Sequence, residues 1–258
     1  MLKNFGLLKK YGPALALLVV LLIVWETASR LLRVPTYVLP PPSRIAGALW
    51  QWRGPLFLQH LPVTLWETLL GLVISIVLGV TLAAAMHLSP LVNRSLYPLV
   101  VASQTIPTIA IAPVFLFWFG FSLAEKVAVV VLYSIFPLAV NTFDGLRSAD
   151  PDLLAWMQAA GARRWRTLRM VEVPAALPAF FTGLKVAATY SITGAVIGEW
   201  LGGDNGLGIF GRRAASALKA PELFASVLLL ALLGIALFWL SAWAERRFTP
   251  HHAQGKEE

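Results

Sequence analysis

Long apolar runs alternate with short polar connections along most of this chain. A helix needs about 20 predominantly apolar residues to cross the hydrocarbon core of a bilayer, and most of the runs approach or exceed that length. The pattern predicts an all-α membrane protein with about six transmembrane helices, folded as a single domain over residues 1–258. The predicted spans are residues 13–32, 63–88, 96–119, 126–141, 175–201 and 223–244.

The first run follows Lys3, Lys9 and Lys10, so a secretory signal peptide is an alternative to a first span. A cleavable signal needs a small-residue cleavage site after a short apolar core. The sequence Thr27-Ala28-Ser29 is a poor match to such a site. We therefore expect an uncleaved first span.

The composition supports a membrane protein and argues against a soluble protein that binds nucleic acid. Hydrophobic residues make up 58% of the chain and charged residues 13%, whereas soluble domains carry about 25% charged residues. The net charge of +8 would suit a nucleic-acid partner in a soluble protein. Here the basic residues lie between the apolar runs, where they would face lipid headgroups, so membrane lipid is the expected partner and nucleic acid is not.

The sequence contains no motif for a metal site or an enzyme. Cysteine is absent, which excludes disulfides and thiolate ligands. His60, His87, His251 and His252 lie apart or in the tail, and no His-Glu-x-x-His or Gly-x-Ser-x-Gly occurs. No Gly-x-x-x-x-Gly-Lys phosphate loop occurs either, so nucleotide chemistry must come from another subunit.

Lys and Arg are more frequent on one side of the predicted bundle than on the other. The richer side holds the N-terminus, the loop 142–174 and the C-terminal tail. Because cytoplasmic connections are enriched in Lys and Arg, both termini and this loop are predicted to be cytoplasmic.

The loop 142–174 is patterned as a short helix that ends at a glycine. Asp150 can cap it, with Pro151 at the first position and Asp152 in the first turn. Gly161 can end or bend the helix, and a basic segment with Trp165 follows. The segment can be interpreted either as a basic helix on anionic lipid or as a docking element for a cytoplasmic partner.

The spacing of this loop resembles the cytoplasmic signature of permeases from binding-protein-dependent ABC importers. That signature runs Glu-Ala-Ala, three residues, Gly, nine residues, then Ile-x-Leu-Pro. Gly161 and the segment Val171-x-Val173-Pro174 fit it, with Val in place of Ile and Leu. The Glu-Ala-Ala part does not fit, since Ala155, Trp156 and Met157 occupy those positions.

The resemblance implies that the loop couples the permease to ATPase subunits. The residues that it assigns to coupling are Asp152, Ala159, Ala160, Gly161, Arg163, Arg164, Val173 and Pro174. It further implies two ABC ATPase subunits that bind ATP and Mg, a periplasmic or lipid-anchored solute-binding protein, and a homodimer in the bacterial cytoplasmic (inner) membrane. No cofactor is expected in this chain itself.

Residues 39–44 also resemble the family's outer-loop pattern Leu-Pro-x-Pro-Ser. Three further segments, residues 113–120, 136–145 and 198–208, resemble the branch of these permeases for nitrate, sulfonate, taurine and thiamine precursors. Residues 102–107 are more similar to permeases for pyrimidine precursors of thiamine or for riboflavin. The resemblance therefore implies a thiamine pyrimidine precursor or a riboflavin-like molecule as substrate, with sulfonate, taurine or nitrate as the alternative.

Polar residues in two predicted spans are candidates for a substrate pathway. Pro107 and Pro113 predict a bend in the third span, and polar side chains near a bend face protein or a water-filled cavity. Thr189 and Thr193 share a face of the fifth span. The full candidate set is Gln104, Thr105, Pro107, Thr108, Asn141, Thr189, Tyr190, Thr193, Glu199 and Trp200.

Each candidate also has a structural interpretation. The polar residues of the third span could instead join helices by hydrogen bonds. Glu199 and Trp200 could form an outer gate or a docking rim, or else a solvated acid beside an interfacial Trp anchor. Glycines at 183, 194 and 198 could allow close helix approach.

The lining has hydroxyls and an aromatic ring, and no charged side chain lies at the middle of a predicted span. This lining suits a neutral or zwitterionic planar molecule. A membrane scaffold, a passive channel and a membrane enzyme remain as alternatives of other classes.

Overall fold

The computed structural model describes residues 2–249, with side chains from Gly12 onward. His251, His252 and Lys256 of the tail lie outside the described residues, as do the side chains of Lys3, Lys9 and Lys10. Within residues 2–249 the chain forms ten helices. They are α1 (Leu2–Leu31), α2 (Pro42–Gln51), α3 (Arg53–Leu88), α4 (Pro90–Ser103), α5 (Thr108–Phe119), α6 (Leu123–Arg147), α7 (Pro151–Ala159), α8 (Arg164–Gly202), α9 (Leu207–Ser216) and α10 (Ala220–Phe248).

Five of these helices, α1, α3, α6, α8 and α10, are long and apolar enough to cross a membrane. Helices α4 and α5 together supply a sixth apolar segment, but their axes are bent by 104°. The all-α fold with five to six apolar spans agrees with the prediction.

The third predicted span, 96–119, is two helices and not one bent helix. Residues 104–107 lie between α4 and α5, and Pro107 directly precedes the first residue of α5. Its fixed φ and missing N–H explain why the helix restarts there. Pro98 and Pro113 lie within helices α4 and α5, so they do not cause the break.

Helices α3 and α8 each begin with a stretch that includes one π-helical turn, at Leu56–His60 and Leu168–Glu172. Pro62 and Pro174 follow these turns directly, at the first positions of regular helix. A proline removes one backbone donor, and a single widened turn changes the hydrogen-bond register locally. The connection between α6 and α8 is consequently shorter than the predicted loop 142–174, since α6 ends at Arg147 and α8 begins at Arg164.

Helices α6 and α8 form the centre of the bundle, and small residues bring them together. A Cβ at Gly194 would lie 2.7 Å from the Cα of Val130, and a Cβ at Gly198 would lie 2.9 Å from the Cα of Lys126. Only glycine allows backbones to approach this closely. The predicted role of these glycines in close packing is therefore confirmed.

Helix α1 lies at the edge of the bundle, and most of its side chains from Gly12 onward are exposed. Its outer end is attached to the start of α2. Glu26 accepts hydrogen bonds from the backbone N–H of Ser43 at 3.0 Å and from its hydroxyl at 2.8 Å. The exposed apolar side chains of α1 suit a lipid environment.

Candidate coupling surface and substrate pathway

Helix α7 is built by the local signals that its sequence predicts. The Oδ1 atom of Asp150 accepts a hydrogen bond from the backbone N–H of Asp152 at 2.8 Å, and Pro151 holds the first helical position. The helix ends at Ala159, and Gly161 follows with a φ of +69°. Glycine adopts this left-handed conformation without the steric cost of a Cβ.

All nine side chains of α7 are described, and none of them is buried. Trp156 is 77% exposed and Leu153 is 53% exposed. The eight residues predicted for coupling are all exposed as well, including Val173 and Pro174 at the start of α8. The structure thus brings the predicted coupling residues onto one projecting segment, here named the coupling segment and defined as residues 148–174.

Two contacts attach the coupling segment to the bundle. Leu168 is buried together with Leu146 of α6 and Ala176 of α8. Glu172, only 3% exposed, forms an ion pair with Arg164 and a 2.7 Å hydrogen bond with Nε2 of His87 at the end of α3. Sequence analysis missed the second contact, because His87 and Glu172 are 85 residues apart and no local pattern joins them.

The three hydroxyl side chains of α8 predicted for a pathway form an exposed stripe. Thr189, Tyr190 and Thr193 are all exposed, while Ser191 on the opposite face is fully buried. Thr182, which is not among the predicted residues, is exposed two turns before Thr189. Polar groups are rarely directed at lipid. This stripe therefore suits a surface that faces protein or water.

Part of this stripe opens onto a groove between α8 and α10. The groove has a volume of about 550 Å³, and Thr189 and Thr193 line it together with Phe238 and Trp239 of α10. Most of the remaining lining is aliphatic. A mostly apolar groove with a few hydroxyls and aromatic rings has the character of a small-molecule site.

The candidates from the third predicted span lie at the break between α4 and α5. Further along α5, Ala112 is buried together with Ile197 of α8. Gln104, Thr105 and Pro107 are exposed at this break, and Thr108 is half-buried.

Asn141 is separate from this group. Its Nδ2 atom donates a hydrogen bond of 2.7 Å to the carbonyl of Pro137 in the same helix. A Cβ at Gly183 would lie 2.9 Å from the Cβ of Asn141, so this residue belongs to the packed contact between α6 and α8. Asn141 therefore lies apart from the hydroxyl stripe, and its role in the pathway stays a prediction.

The structure also corrects the prediction for Glu199. This residue is fully buried, and its carboxylate accepts hydrogen bonds from the hydroxyl of Thr64 and the N–H of Gly208, both at 2.5 Å, and from the N–H of Ile209 at 3.2 Å. It is neither a solvated acid nor an exposed rim residue. A carboxylate at the first N–H groups of α9 satisfies donors that the helix leaves free.

Two residues of α3 complete this arrangement. Thr64 Oγ1 accepts a hydrogen bond from the N–H of Leu207 at 2.8 Å, and Nδ1 of His60 accepts one from the N–H of Gly206 at 3.0 Å. Trp200 remains partly exposed, and its indole N–H donates to the carbonyl of Gly208 at 3.0 Å. The glycine-rich turn is thus fixed to α3 and α8, and this end of the bundle, opposite the coupling segment, is closed around Glu199.

A polytopic helical bundle with a projecting, basic coupling segment and a hydroxyl stripe on a central helix has the organisation of a membrane permease subunit. Residues 75–250 match the model of the family described as the binding-protein-dependent transport system inner membrane component. The chain belongs to this family, and it is a permease subunit of an ABC importer. Its relatives are transport permease subunits, which favours this class over a scaffold or a passive channel.

Individual relatives agree with this assignment. The chain is 44% identical over 218 residues to the formylaminopyrimidine transport permease protein ThiX of Halalkalibacterium halodurans, covering 84% of this chain and 87% of the relative. It is 37% identical to the riboflavin transport system permease protein RibX of Chloroflexus aurantiacus, covering 91% and 89%. Identity to the taurine transport system permease protein TauC of Escherichia coli is 29%, covering 92% and 88%.

A solved structure shares the fold. A chain from inward-facing crystals of the MetNI methionine ABC transporter aligns with a TM-score of 0.64 at 19% sequence identity. The alignment covers 72% of this chain and 93% of that chain. At this identity the likeness supports the permease fold and carries no information about the substrate.

Proposed function

We propose that this subunit imports a planar, uncharged or zwitterionic heterocycle, of the type of a thiamine pyrimidine precursor or riboflavin. Two copies of the chain form the pathway, and two ABC ATPase subunits, which bind ATP and Mg, dock on the coupling segments. A periplasmic or lipid-anchored binding protein delivers the substrate. Sulfonate, taurine or nitrate is the alternative substrate class.

The observation that carries ATPase docking is the exposure of α7. None of the nine residues of this helix is buried, so packing on its own subunit contributes little to its stability, yet Asp150 and Gly161 fix both of its ends. Exposed Trp156 offers a large apolar side chain of the kind that anchors protein interfaces. The helix is short and joined to both α6 and α8, so movement of a docked ATPase would displace both spans.

The substrate proposal rests on the hydroxyl stripe and on the relatives. Thr189, Tyr190 and Thr193 offer hydrogen bonds and an aromatic face, which suit a planar ring with polar substituents. Lys185, the basic residue nearest to them on α8, is neutralised by Glu245 at 2.8 Å. Two relatives are named for formylaminopyrimidine and riboflavin and are more similar to this chain than the taurine permease.

The two-copy arrangement has support from the same stripe. Hydroxyl groups exposed along the centre of a membrane span are unfavourable against lipid. A second copy that faces the stripe across a central pathway would remove these groups from lipid.

The proposed orientation, with both termini in the cytoplasm, agrees with the position of the last helix. The rings of Phe181 in α8 and Phe248 at the end of α10 are stacked with centroids 6.3 Å apart. The end of α10 therefore lies at the same end of the bundle as the start of α8, where the basic coupling segment is attached.

The proposal is tested by purification of the tagged subunit from its native membrane, reconstitution in nanodiscs, and measurement of ATP hydrolysis. We expect an ATPase subunit to co-purify. We also expect a loaded binding protein to stimulate hydrolysis with formylaminopyrimidine or riboflavin, and not with taurine. Absence of an ATPase from the purified complex would refute the docking, and stimulation by taurine alone would refute the substrate class.

A further inference from the structure

We propose that Glu172 is a positioning residue that joins the coupling segment to α3, so that displacement of α7 moves α3 as well as α6 and α8. This inference rests on the proposed docking of an ATPase at α7. It assigns a role to Glu172 and His87, which the pattern of the coupling loop leaves without one.

Glu172 lies where three parts of the molecule meet. Glu172 is the last residue of the π-helical turn near the start of α8. Arg164 is the first residue of α8 and lies three residues after Gly161, which follows α7. His87 is the penultimate residue of α3. The carboxylate is 4% exposed and the His87 side chain 11% exposed, whereas the Arg164 side chain is 54% exposed. The contact among Glu172, His87 and Arg164 is called the node below. Its Glu172 and His87 side chains are shielded from solvent, whereas Arg164 is accessible to a cytoplasmic partner.

The three side chains are in mutual contact. Arg164 can only donate, and it pairs with Oε1 of Glu172. Nε2 of His87 lies 2.7 Å from Oε2 of the same carboxylate, and in the tautomer with a hydrogen on Nε2 it donates to that oxygen. The NH2 group of Arg164 also lies 3.0 Å from the same Nε2 atom. One buried carboxylate therefore holds two donors from two different elements.

Without Glu172, the coupling segment would contact the bundle mainly through its own chain ends. The apolar cluster of Leu146, Leu168 and Ala176 joins it to α6 and α8, the two helices to which it is already covalently attached. Helix α3 is distant in sequence, and within the membrane it packs closely on α6, where a Cβ at Gly79 would lie 2.8 Å from the Cβ of Leu138. Glu172 gives α3 a direct connection to the segment that contacts the ATPase.

The inference is tested on the assembled importer in nanodiscs by the ratio of substrate-stimulated to basal ATP hydrolysis, together with substrate uptake. We expect Glu172→Gln and His87→Phe to retain the ATPase subunit and basal hydrolysis, and to lower the stimulation ratio about tenfold. Because the two residues act through one contact, the Glu172→Gln/His87→Phe double variant should be no worse than the worse single variant. Arg164→Gln, which also changes the docking surface, should lower the ratio at least as much. Arg164→Lys, which keeps the charge, should restore part of the ratio.

The chain offers a matched control in Arg166. This residue carries the same charge in the same exposed segment, and its Nε contacts only the sulfur of Met170, at 3.5 Å. Arg166→Gln should leave the stimulation ratio unchanged. An equal loss in Arg166→Gln and Arg164→Gln would assign the effect to the general charge of the segment and would overturn the inference.

A distance measurement provides a second test that does not depend on activity. The chain has no cysteine, so spin labels can be introduced at exposed Leu88 and Trp165, on either side of the node. We expect one narrow distance distribution, equal in the ATP-free and ATP-bound complex, and a broader one in Glu172→Gln. Separation of the two labels on ATP binding in the wild-type background would overturn the proposal. If the wild-type subunit carried no ATPase at all, the docking proposal itself would fail instead.

Discussion

The two ends of α8 each carry a buried glutamate that is bonded to α3, and they differ in the chemistry of the partners. Glu199, at the end proposed to lie outside and called the outer end below, accepts bonds from the Thr64 hydroxyl and from backbone N–H groups of α9. Glu172, at the opposite end, called the inner end, accepts them from Arg164 and His87. At 1.5 Å per residue the two carboxylates are about 40 Å apart along the helix.

This difference decides what a single substitution can remove. Backbone donors at the start of a helix stay in place unless that helix unfolds, so Glu199 gives its end of the bundle one arrangement. The donors to Glu172 are side chains, and Arg164 is half exposed, so a substitution can remove the connection to α3 without unfolding a helix. The comparison teaches that the Glu199 contact is tested by stability and the Glu172 contact by the transmission of movement.

The largest effect is expected from Glu199→Leu. This change leaves the N–H groups of Gly208 and Ile209 buried without their acceptor, at a cost of about 1–3 kcal/mol for each group. The hydroxyl of Thr64 retains the carbonyl of His60 as an acceptor, at 3.3 Å. We expect a large fall in thermal stability in detergent, measured by intrinsic fluorescence, and poor membrane expression. Asp204→Asn is the matched control, because Asp204 lies in the same turn and is exposed. An equally stable Glu199→Leu variant would contradict the fixed outer end.

Two glycines with positive φ extend the comparison at a smaller scale. Gly206 (φ +133°) lies against the Glu199 carboxylate, whereas a Cβ at Gly161 (φ +69°) would meet no atom within 4 Å. Gly206→Ala should therefore combine backbone strain with a clash and lower the melting temperature strongly. Gly161→Ala should cost only the strain of about 1–2 kcal/mol. Equal shifts of the melting temperature in the two variants would contradict the conclusion that Gly206 is closely packed and Gly161 is not.

Interactions between residues close in the sequence could be predicted, and those between distant residues could not. The cap by Asp150 and the turn at Gly161 depend on neighbours within a few residues, and the structure has both. The bonds of Glu199 to Thr64 and of Glu172 to His87 join residues 135 and 85 positions apart. A single sequence carries no periodic or local signal for such pairs.

The wrong position predicted for Glu199 has the same cause. A glutamate beside a tryptophan at the end of an apolar run is typical of a solvated interfacial position. Its burial depends on the return of α9 over the end of α8, which is a tertiary contact. The hydroxyl stripe could be predicted because Thr189 and Thr193 are one turn apart on the same helix.

Two lysine ion pairs provide a third comparison of the ends. The outer pair, Lys126 with Glu67, has side-chain exposures of 12% and 2%, and the inner pair, Lys185 with Glu245, has 21% and 25%. Lys126→Met leaves a nearly inaccessible carboxylate unpaired and should destabilise by about 3 kcal/mol. Lys185→Met should cost about 1 kcal/mol, because water and lipid headgroups reach Glu245. Thermal melts of both variants measure the difference, and a reversed order would contradict the tighter closure of the outer end.

The smallest effect on stability is expected from Trp156→Ala. A loss of ATPase binding in this variant could therefore be assigned to the docking surface and not to unfolding. Trp156 is 77% exposed on a helix without buried side chains, so its removal should change the free energy of unfolding by less than about 0.5 kcal/mol. Its interface role predicts the opposite for assembly, because a Trp buried on docking contributes about 2 kcal/mol or more to binding. Trp50, 70% exposed in α2 at the outer side, provides a control of the same residue type. Co-purification of the ATPase should fall in Trp156→Ala and stay unchanged in Trp50→Ala, and unaltered co-purification in both would remove Trp156 from the docking surface.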